Sequence, residues 1–375
     1  MGHRLGQERL FHHALLLFAH RQSFRRFLDD SPRALTTNLF NKMPKYWMVN
    51  NRSQGGVGPD VSTDGMTYWV SDKQPLTDIK NWRKVTAANF QKLLVAASDK
   101  FPKYDQAENE KQSHVTILIH GYNQTFAKAA AFYEKLCGQL FDGPDSLGLC
   151  ILYDWPSRGS ILGYEPDRSH ARLCARDLTD VLSALFDWLT KKQQQTINNP
   201  AKACKAKVSL ISHSMGNYVV QKAMAAAWTR KNQPLLVSLI NQLLMVAADV
   251  DSDLFDEGAP DNDDGSAVAN LTYRITALYT GRDTVLGASA GLKHFGMRRL
   301  GRSGLPHHPP LAEPSLPTDN VWDVDCSSFF KSDVGDIHGA YFLTDGTLNL
   351  MRHILRGLDR GVLETLGYTK GTAWP

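Results

Sequence analysis

Residues 207–220 read Lys-Val-Ser-Leu-Ile-Ser-His-Ser-Met-Gly-Asn-Tyr-Val-Val, and no other stretch restricts the possible folds as much. A short apolar run ends in Ser-x-Ser-x-Gly, and residues at helical spacing follow at once through Met224 and Ala227. Strand, tight turn and helix in that order lift the central residue, Ser214, to the top of a sheet. The flanking positions must be small, because the turn brings two backbone arms together. Ser212 and Gly216 meet that demand, with Ser212 standing where glycine is usual. A bare S-x-S-x-G is short enough to arise by chance, so the rest of the chain must supply partners for Ser214.

The chain has 375 residues, 42% hydrophobic and 21% charged, enough for one large α/β domain with extensions or for two small domains. Formal net charge is +4, with Lys and Arg interleaved among acids, so no nucleic-acid partner is expected. Five scattered cysteines, none in a C-x-x-C pair, argue against a zinc cluster or redox dithiol and for a reducing, cytoplasmic setting. No apolar run approaches the roughly 18 residues of a membrane-spanning helix.

Residues 1–42 differ from the rest. Leu10, Phe11, Ala14, Leu15, Phe18, Phe24 and Leu28 recur at roughly helical spacing among Arg4, Arg9, Arg21, Arg25 and Arg26. The segment reads as a helical extension packed on the body, or as a targeting-like basic helix suited to a membrane surface. A secretory signal fits poorly, since 11–19 is short, broken by His12 and His13, and followed by no small-residue cleavage site. The main domain is expected over 43–375.

Tyr46–Asn50 and Met66–Ser71 read as two antiparallel strands, and Thr86 as the cap of a helix running to Ser98. Gly55-Gly56-Val57-Gly58 lacks the spacing of a dinucleotide fingerprint. The β-branched run His114–Ile119 reads as a strand buried in a parallel sheet, ending in His120-Gly121-Tyr122-Asn123 before a helix near Thr125. A strand over Leu147–Asp154 leads to Trp155-Pro156-Ser157-Arg158-Gly159, then to a helical pattern from Ala171 to Leu189. Further strands are read at Gln242–Ala248, Arg274–Tyr279 and Val321–Phe329, with a closing helix over Leu348–Leu358. Residues 301–320 hold five prolines and read as an insertion or lid. Strand and helix alternating at this rhythm predict an α/β fold with a mostly parallel central sheet flanked by helices.

A serine hydroxyl becomes a useful nucleophile when an imidazole takes its proton and a carboxylate orients that imidazole. In α/β hydrolases the chain order is nucleophile, acid, histidine. Asp283 follows the second strand past Ser214, and His338 follows the last strand, so both satisfy that order. Asp249 and Asp251 also leave a strand end and remain alternative acids. His294, His307, His308 and His353 are competing bases. His353 falls inside the closing helix, and His307 and His308 fall in the proline-rich stretch. The backbone N–H groups of Tyr122 and Met215 are the expected oxyanion donors. His120, Gly121, Asn123, Trp155, His213 and Asp249 are candidates for the substrate pocket, with core packing the plainer reading of Trp155. Asp249-Val250-Asp251-Ser252-Asp253 is a poor calcium loop, because Leu254 and Pro260 stand where glycine and glutamate are required. Paired His307 and His308 lack a third ligand, so no metal and no cofactor is expected.

Taken together, I-L-I-H-G-Y-N, Y-D-W-P-S-R-G, L-I-S-H-S-M-G-N, A-A-D-V-D and Y-T-G-R-D-T-V-L resemble a largely uncharacterised bacterial family of α/β hydrolases described as esterase/lipase superfamily enzymes. The resemblance spans roughly residues 44 to 358. It implies the α/β-hydrolase fold, Ser214 as nucleophile, Asp283 as acid and His338 as base, and esterase-like action on a small or lipid-like ester. Thioester or amide cleavage and acyl transfer would use the same groups. A catalytically silent fold used for binding is the alternative of a different class.

Overall fold

The β-branched runs that end at His120 and Ser214 lie side by side at the centre of a nine-stranded sheet. The computed structural model describes residues 43–101, 113–158, 163–198, 206–229, 238–306 and 320–368. The chain divides into two units, Met1–Met43 and Pro44–Pro375. The N-terminal segment 1–42 lies outside the described residues, and every strand and helix named below belongs to the second unit.

The strands are β1 (Tyr46–Asn50), β2 (Thr67–Ser71), β3 (Arg83–Val85), β4 (His114–Ile119), β5 (Gly148–Asp154), β6 (Lys207–His213), β7 (Ile240–Val246), β8 (Thr272–Tyr279) and β9 (Val321–Asp325). Their order is β3-β2-β1-β5-β4-β6-β7-β8-β9. Only the β1–β2 and β2–β3 pairs are antiparallel; from β1 to β9 through the centre every pair is parallel. The main helices are α1 (Ala87–Ser98), α2 (Phe126–Leu140), α3 (Tyr164–Asn198), α4 (Gly216–Thr229), α5 (Asn262–Leu271), α6 (Thr284–Lys293), α7 (Asp345–Leu355) and α8 (Arg360–Thr365). This is the mostly parallel, helix-flanked sheet that the alternation of elements predicts.

Local chemistry sets the element boundaries. Thr86 caps α1 and Thr125 caps α2, each hydroxyl accepting the backbone N–H three residues on. All six residues of β4 are buried, as expected of a strand with helices over both faces. Tyr133 on α2 is fully buried, its hydroxyl donating to the Cys150 carbonyl at 2.7 Å and accepting from Trp47 N–H at 3.0 Å. One side chain thereby ties a helix to β1 and β5. The closing helical region is longer than the sequence suggests: α7 buries Leu348, Leu350, Met351, Ile354 and Leu355, and α8 follows it. No helix among the described residues is long and apolar enough to cross a membrane.

The start of the proline-rich stretch belongs to the body. Gly301 lies in a helical turn, Leu300–Ser303, and donates its N–H to the Ala248 carbonyl at 2.9 Å. A Cβ at this position would sit 2.1 Å from the backbone of Ala247 and Ala248. Residues 307–319 lie outside the described residues. Backbone atoms cannot step aside as a flexible side chain can, so Gly301→Ala is expected to destabilise the fold by about 1–3 kcal/mol. Urea unfolding would report the loss; an unchanged midpoint would contradict this packing.

Candidate active site

Strand β6 ends and α4 begins across a turn in which Ser214 has φ of +53°. Left-handed backbone is unfavourable for a serine and persists only where surrounding bonds enforce it. Here Ser214 N–H donates to Val246 O at 3.0 Å, and its carbonyl accepts from Asp249 N–H at 3.2 Å and Asn217 Nδ2 at 3.1 Å. Asn217 Nδ2 also reaches Ser212 O at 3.1 Å, while the Ser212 hydroxyl donates to Asn217 Oδ1. Ser212 is thus more than a small residue in place of glycine: its hydroxyl and Asn217 latch the two arms of the turn.

The turn packs directly on the end of β4. A Cβ on Gly216 would lie 2.6 Å from the carbonyl oxygens of Ile119 and His120, and one on Gly121 would lie 2.8 Å from Ser214 Cβ. Two glycines therefore set how close the His120–Asn123 loop comes to Ser214. In that loop Asn123 also has positive φ, +61°. Its N–H donates to Asp167 on α3 at 3.4 Å. Asp167 also accepts from Arg158 N–H at 2.8 Å and from the Ser157 hydroxyl. The same hydroxyl accepts Gln124 N–H at 3.2 Å. Tyr122 is half-buried, its ring edge-on to Tyr164 at 5.7 Å. Burial, then Asp249 and Asp167, push its phenol above the ordinary range.

Among the three candidate acids, Asp283 is the one whose carboxylate contacts a candidate base. It is fully buried and caps α6, with Oδ1 accepting Leu286 N–H at 2.9 Å. Oδ2 lies 2.7 Å from His338 Nδ1. A carboxylate at this distance accepts, so Nδ1 donates, and in the neutral imidazole it is Nε2 that presents a lone pair. Nε2 is buried and has no hydrogen-bond partner among the described residues. His338 stands on a helical turn, Ile337–Ala340, and is tied to the strand end before Ser214: His213 Nε2–H donates to its carbonyl at 3.0 Å, with ring centroids 4.9 Å apart. Burial, then the neighbouring His338, lower His213 to about 3 and keep it neutral.

Asp249 and Asp251 are engaged elsewhere, with Arg299. Arg299 Nε donates to Asp249 Oδ1 at 2.9 Å, and Nη1 pairs with Asp251. Ser289 and Tyr164 hydroxyls complete the Asp249 shell at 2.9 and 2.8 Å. Burial raises the Asp249 carboxyl, but Arg299 and these donors outweigh it and hold it below its ordinary value. His294 reaches Asp249 only through the Tyr164 hydroxyl, which lies 2.6 Å from its Nε2. Burial and then Arg299 lower His294 to about 4. His353 is on α7, and His307 and His308 lie outside the described residues.

Three of the pocket candidates stand behind the site rather than lining it. His120 is fully buried, with Nε2 at 3.0 Å from Asp154 Oδ1 and Nδ1 at 2.8 Å from Gly121 O. Trp155, also fully buried, stacks on its ring at 5.3 Å and donates Nε1–H to His120 O at 2.8 Å. Asp249 has both carboxylate oxygens engaged, as above. Gly121 packs against Ser214, and Asn123 is partly exposed. No sequence motif pointed to Arg52, whose guanidinium meets both oxygens of Asp154 at 2.9 Å with both side chains fully buried. Burial raises Asp154, yet Arg52 and His120 together hold it below the ordinary carboxylate range.

The chain belongs to the family described as alpha/beta hydrolase of unknown function (DUF900), whose model matches residues 99–355. Among solved structures, it is similar to a bifunctional GH43-CE protein of Bacteroides eggerthii at 11% identity and a TM-score of 0.29, over 77% of this chain and 46% of that one. It is similar to a Pyrobaculum calidifontis esterase at 9% and 0.30, over 79% and 96%. A Pyrococcus horikoshii acylaminoacyl peptidase gives 12% and 0.24, over 84% and 48%. The chain spans about half the length of the first and the third, and scores this low carry no argument about activity. No curated protein matches the chain.

Two half-buried histidines with lowered values fix the sign of the pH dependence. His213 and His294 have folded values lowered to about 3 and about 4, against about 6.5 when unfolded. Below about 6.5 the unfolded chain binds protons that the folded chain refuses, so their contribution is complete above that pH. It is lost as the pH falls toward 4. Urea midpoints measured from pH 7.5 to 4.5 should fall, and His213→Gln should flatten the fall; an unchanged slope would contradict the burial of that ring.

Proposed function

We propose that this chain is a serine hydrolase of carboxylic esters, with Ser214 as nucleophile, His338 as general base and Asp283 as its orienting acid. The contact of Asp283 with His338 Nδ1 at 2.7 Å carries the reading, because it leaves Nε2 without a partner on a residue whose carbonyl is tied to His213, next to Ser214. In this reading Nε2 takes the Ser214 proton as Oγ attacks the ester carbonyl. Asp283 stabilises the imidazolium that forms. The tetrahedral oxyanion is met by the N–H groups of Tyr122 and Met215, fixed dipoles that need not reorganise as charge develops. The alcohol leaves with the proton from His338. Water, activated by the same nitrogen, then releases the acid from the acyl-serine.

Support for the assignment of the acid comes from exclusion as well as contact. Asp249 and Asp251 are both paired with Arg299. His294 is lowered to about 4 and is occupied by Tyr164, which makes it a poor base near neutral pH.

Short-chain p-nitrophenyl esters and a fluorophosphonate probe test the proposal on the full chain. Wild type should label and turn over. Ser214→Ala should lose labelling and about 10⁶-fold in kcat, and Asp283→Asn about 10⁴-fold. His294→Gln should stay within about tenfold of wild type, since it is placed outside the proton path. No labelling of wild type, or equal labelling of Ser214→Ala, would overturn the reading. Thioester and anilide analogues in the same assay rank the leaving groups the site accepts.

A further inference from the structure

The loop that carries Tyr122 is pinned at both ends, and one buried side chain reaches both pins. Strands β1, β5 and β4 are neighbours, with Asn50 level with Asp154 and Ile119 level with Tyr153. Arg52, just past the end of β1, therefore meets the last residue of β5, and His120 leaves β4 beside them. Arg52 is 3% exposed, and Asp154 and His120 are fully buried.

The three nitrogens of the Arg52 guanidinium hold three different segments. Nε donates to both oxygens of Asp154 at 2.9 Å. Nη2 donates to the Gln124 carbonyl at 2.9 Å, and Nη1 to the Ser157 carbonyl at 3.3 Å. At the near end of the loop, His120 Nε2 lies 3.0 Å from Asp154 Oδ1, and Trp155 Nε1–H donates to His120 O. At the far end, the Ser157 hydroxyl accepts Gln124 N–H at 3.2 Å. Residues 120 and 124 are thus fixed to one planar group, through Asp154 at the first and directly at the second. Tyr122 N–H stands midway between them, and Gly121 packs against Ser214.

This arrangement needs a fork and not merely a positive charge. A guanidinium presents its N–H groups in fixed, coplanar directions, so ordering one acceptor orders the others. Its carbonyl acceptors lie 72 and 105 positions away in the chain, and no other printed side chain bonds all three segments. A lysine ammonium would keep a cation beside Asp154, but its donors radiate from a single atom and cannot span acceptors set around three nitrogens. Buried ion pairs add little net stability, so the contribution of the fork is placement.

We propose that Arg52 is a positioning residue for the oxyanion hole: it sets where the Tyr122 N–H stands relative to Ser214, without touching substrate. The chemistry of this proposal rests on the ester-hydrolase reading, whereas the hold on the loop is measurable without turnover.

Arg52→Lys and Ser157→Ala in the full chain test it, with circular dichroism as the check on folding. Hydrogen–deuterium exchange read by mass spectrometry should show amides 121–125 exchanging at least tenfold faster in Arg52→Lys, with peptides of α4 unchanged. On short-chain p-nitrophenyl esters, kcat should fall about 10–100-fold while KM stays within about threefold, because a displaced donor weakens only the transition state. A trifluoromethyl ketone, which becomes a tetrahedral oxyanion on a nucleophilic serine, should lose affinity by the same factor. The midpoint of the kcat/KM pH profile should not move, since the Asp283–His338 contact is left intact. Ser157→Ala frees the same end of the loop with a smaller change, should move every reading in the same direction, and decides the matter if Arg52→Lys does not fold. Unchanged exchange, a kcat loss without matching loss of ketone affinity, or a shifted pH midpoint would overturn the proposal. Wild type without labelling or turnover would instead sink the ester-hydrolase reading, and the oxyanion role of Arg52 with it.

Discussion

The approach of two backbone loops across Gly121 and Gly216 is the constraint on which the site depends. Methyl-sized groups at these positions would fall within 2.6–2.8 Å of neighbouring carbonyl oxygens or of Ser214 Cβ. Only bare glycine lets the end of β4 come so near the serine turn. Once it does, the turn's left-handed Ser214 is held by bonds with Val246, Asp249 and Asn217, so the end of β7 and the first turn of α4 share the cost of one strained residue.

Buried charge then frames this contact from two directions. On the β1–β5 side, the Arg52–Asp154 ion pair and His120 form a polar cluster with no exposed side chain, and Trp155 stacks on the His120 ring. On the β7–β8 side, Arg299 gathers Asp249 and Asp251. Buried ion pairs are weak contributors to net stability, because desolvation offsets much of their attraction. Their strength is directional. The first cluster fixes the residue immediately before Gly121, and the second removes two carboxylates from reach of a histidine. Asp283 is left to meet His338, itself secured to the serine turn through His213.

Elements were legible in the sequence wherever a pattern was local. The β-branched runs of β4 and β6, the capping threonines at 86 and 125, and the alternation of strand and helix are each decided within about fifteen residues. Asp283 and His338 could be read as following strand ends, but their contact spans 55 positions. Less of the surrounding shell could be read. Arg52 and Asp154 are 102 positions apart, and Arg299 and Asp249 are 50 apart, with no spacing rule to connect them. Trp155 and His120 looked like pocket residues because they leave strand ends, yet burial turns both inward. Gly301 sat in a proline-rich stretch that suggested a lid, and its tight fit against β7 depends on a neighbour 54 residues away (301 minus 247).

The sequence by itself determined the order of strands and helices, the tight turn at Ser214, and which residue types could serve beside it. Periodicity and the steric needs of small residues act over short stretches, so they are written into the chain directly. Only the tertiary structure decided which carboxylate meets His338 and which histidines have their values lowered by their surroundings. Those outcomes follow from sheet register and from competition among distant charges, and both exist only once the strands are paired.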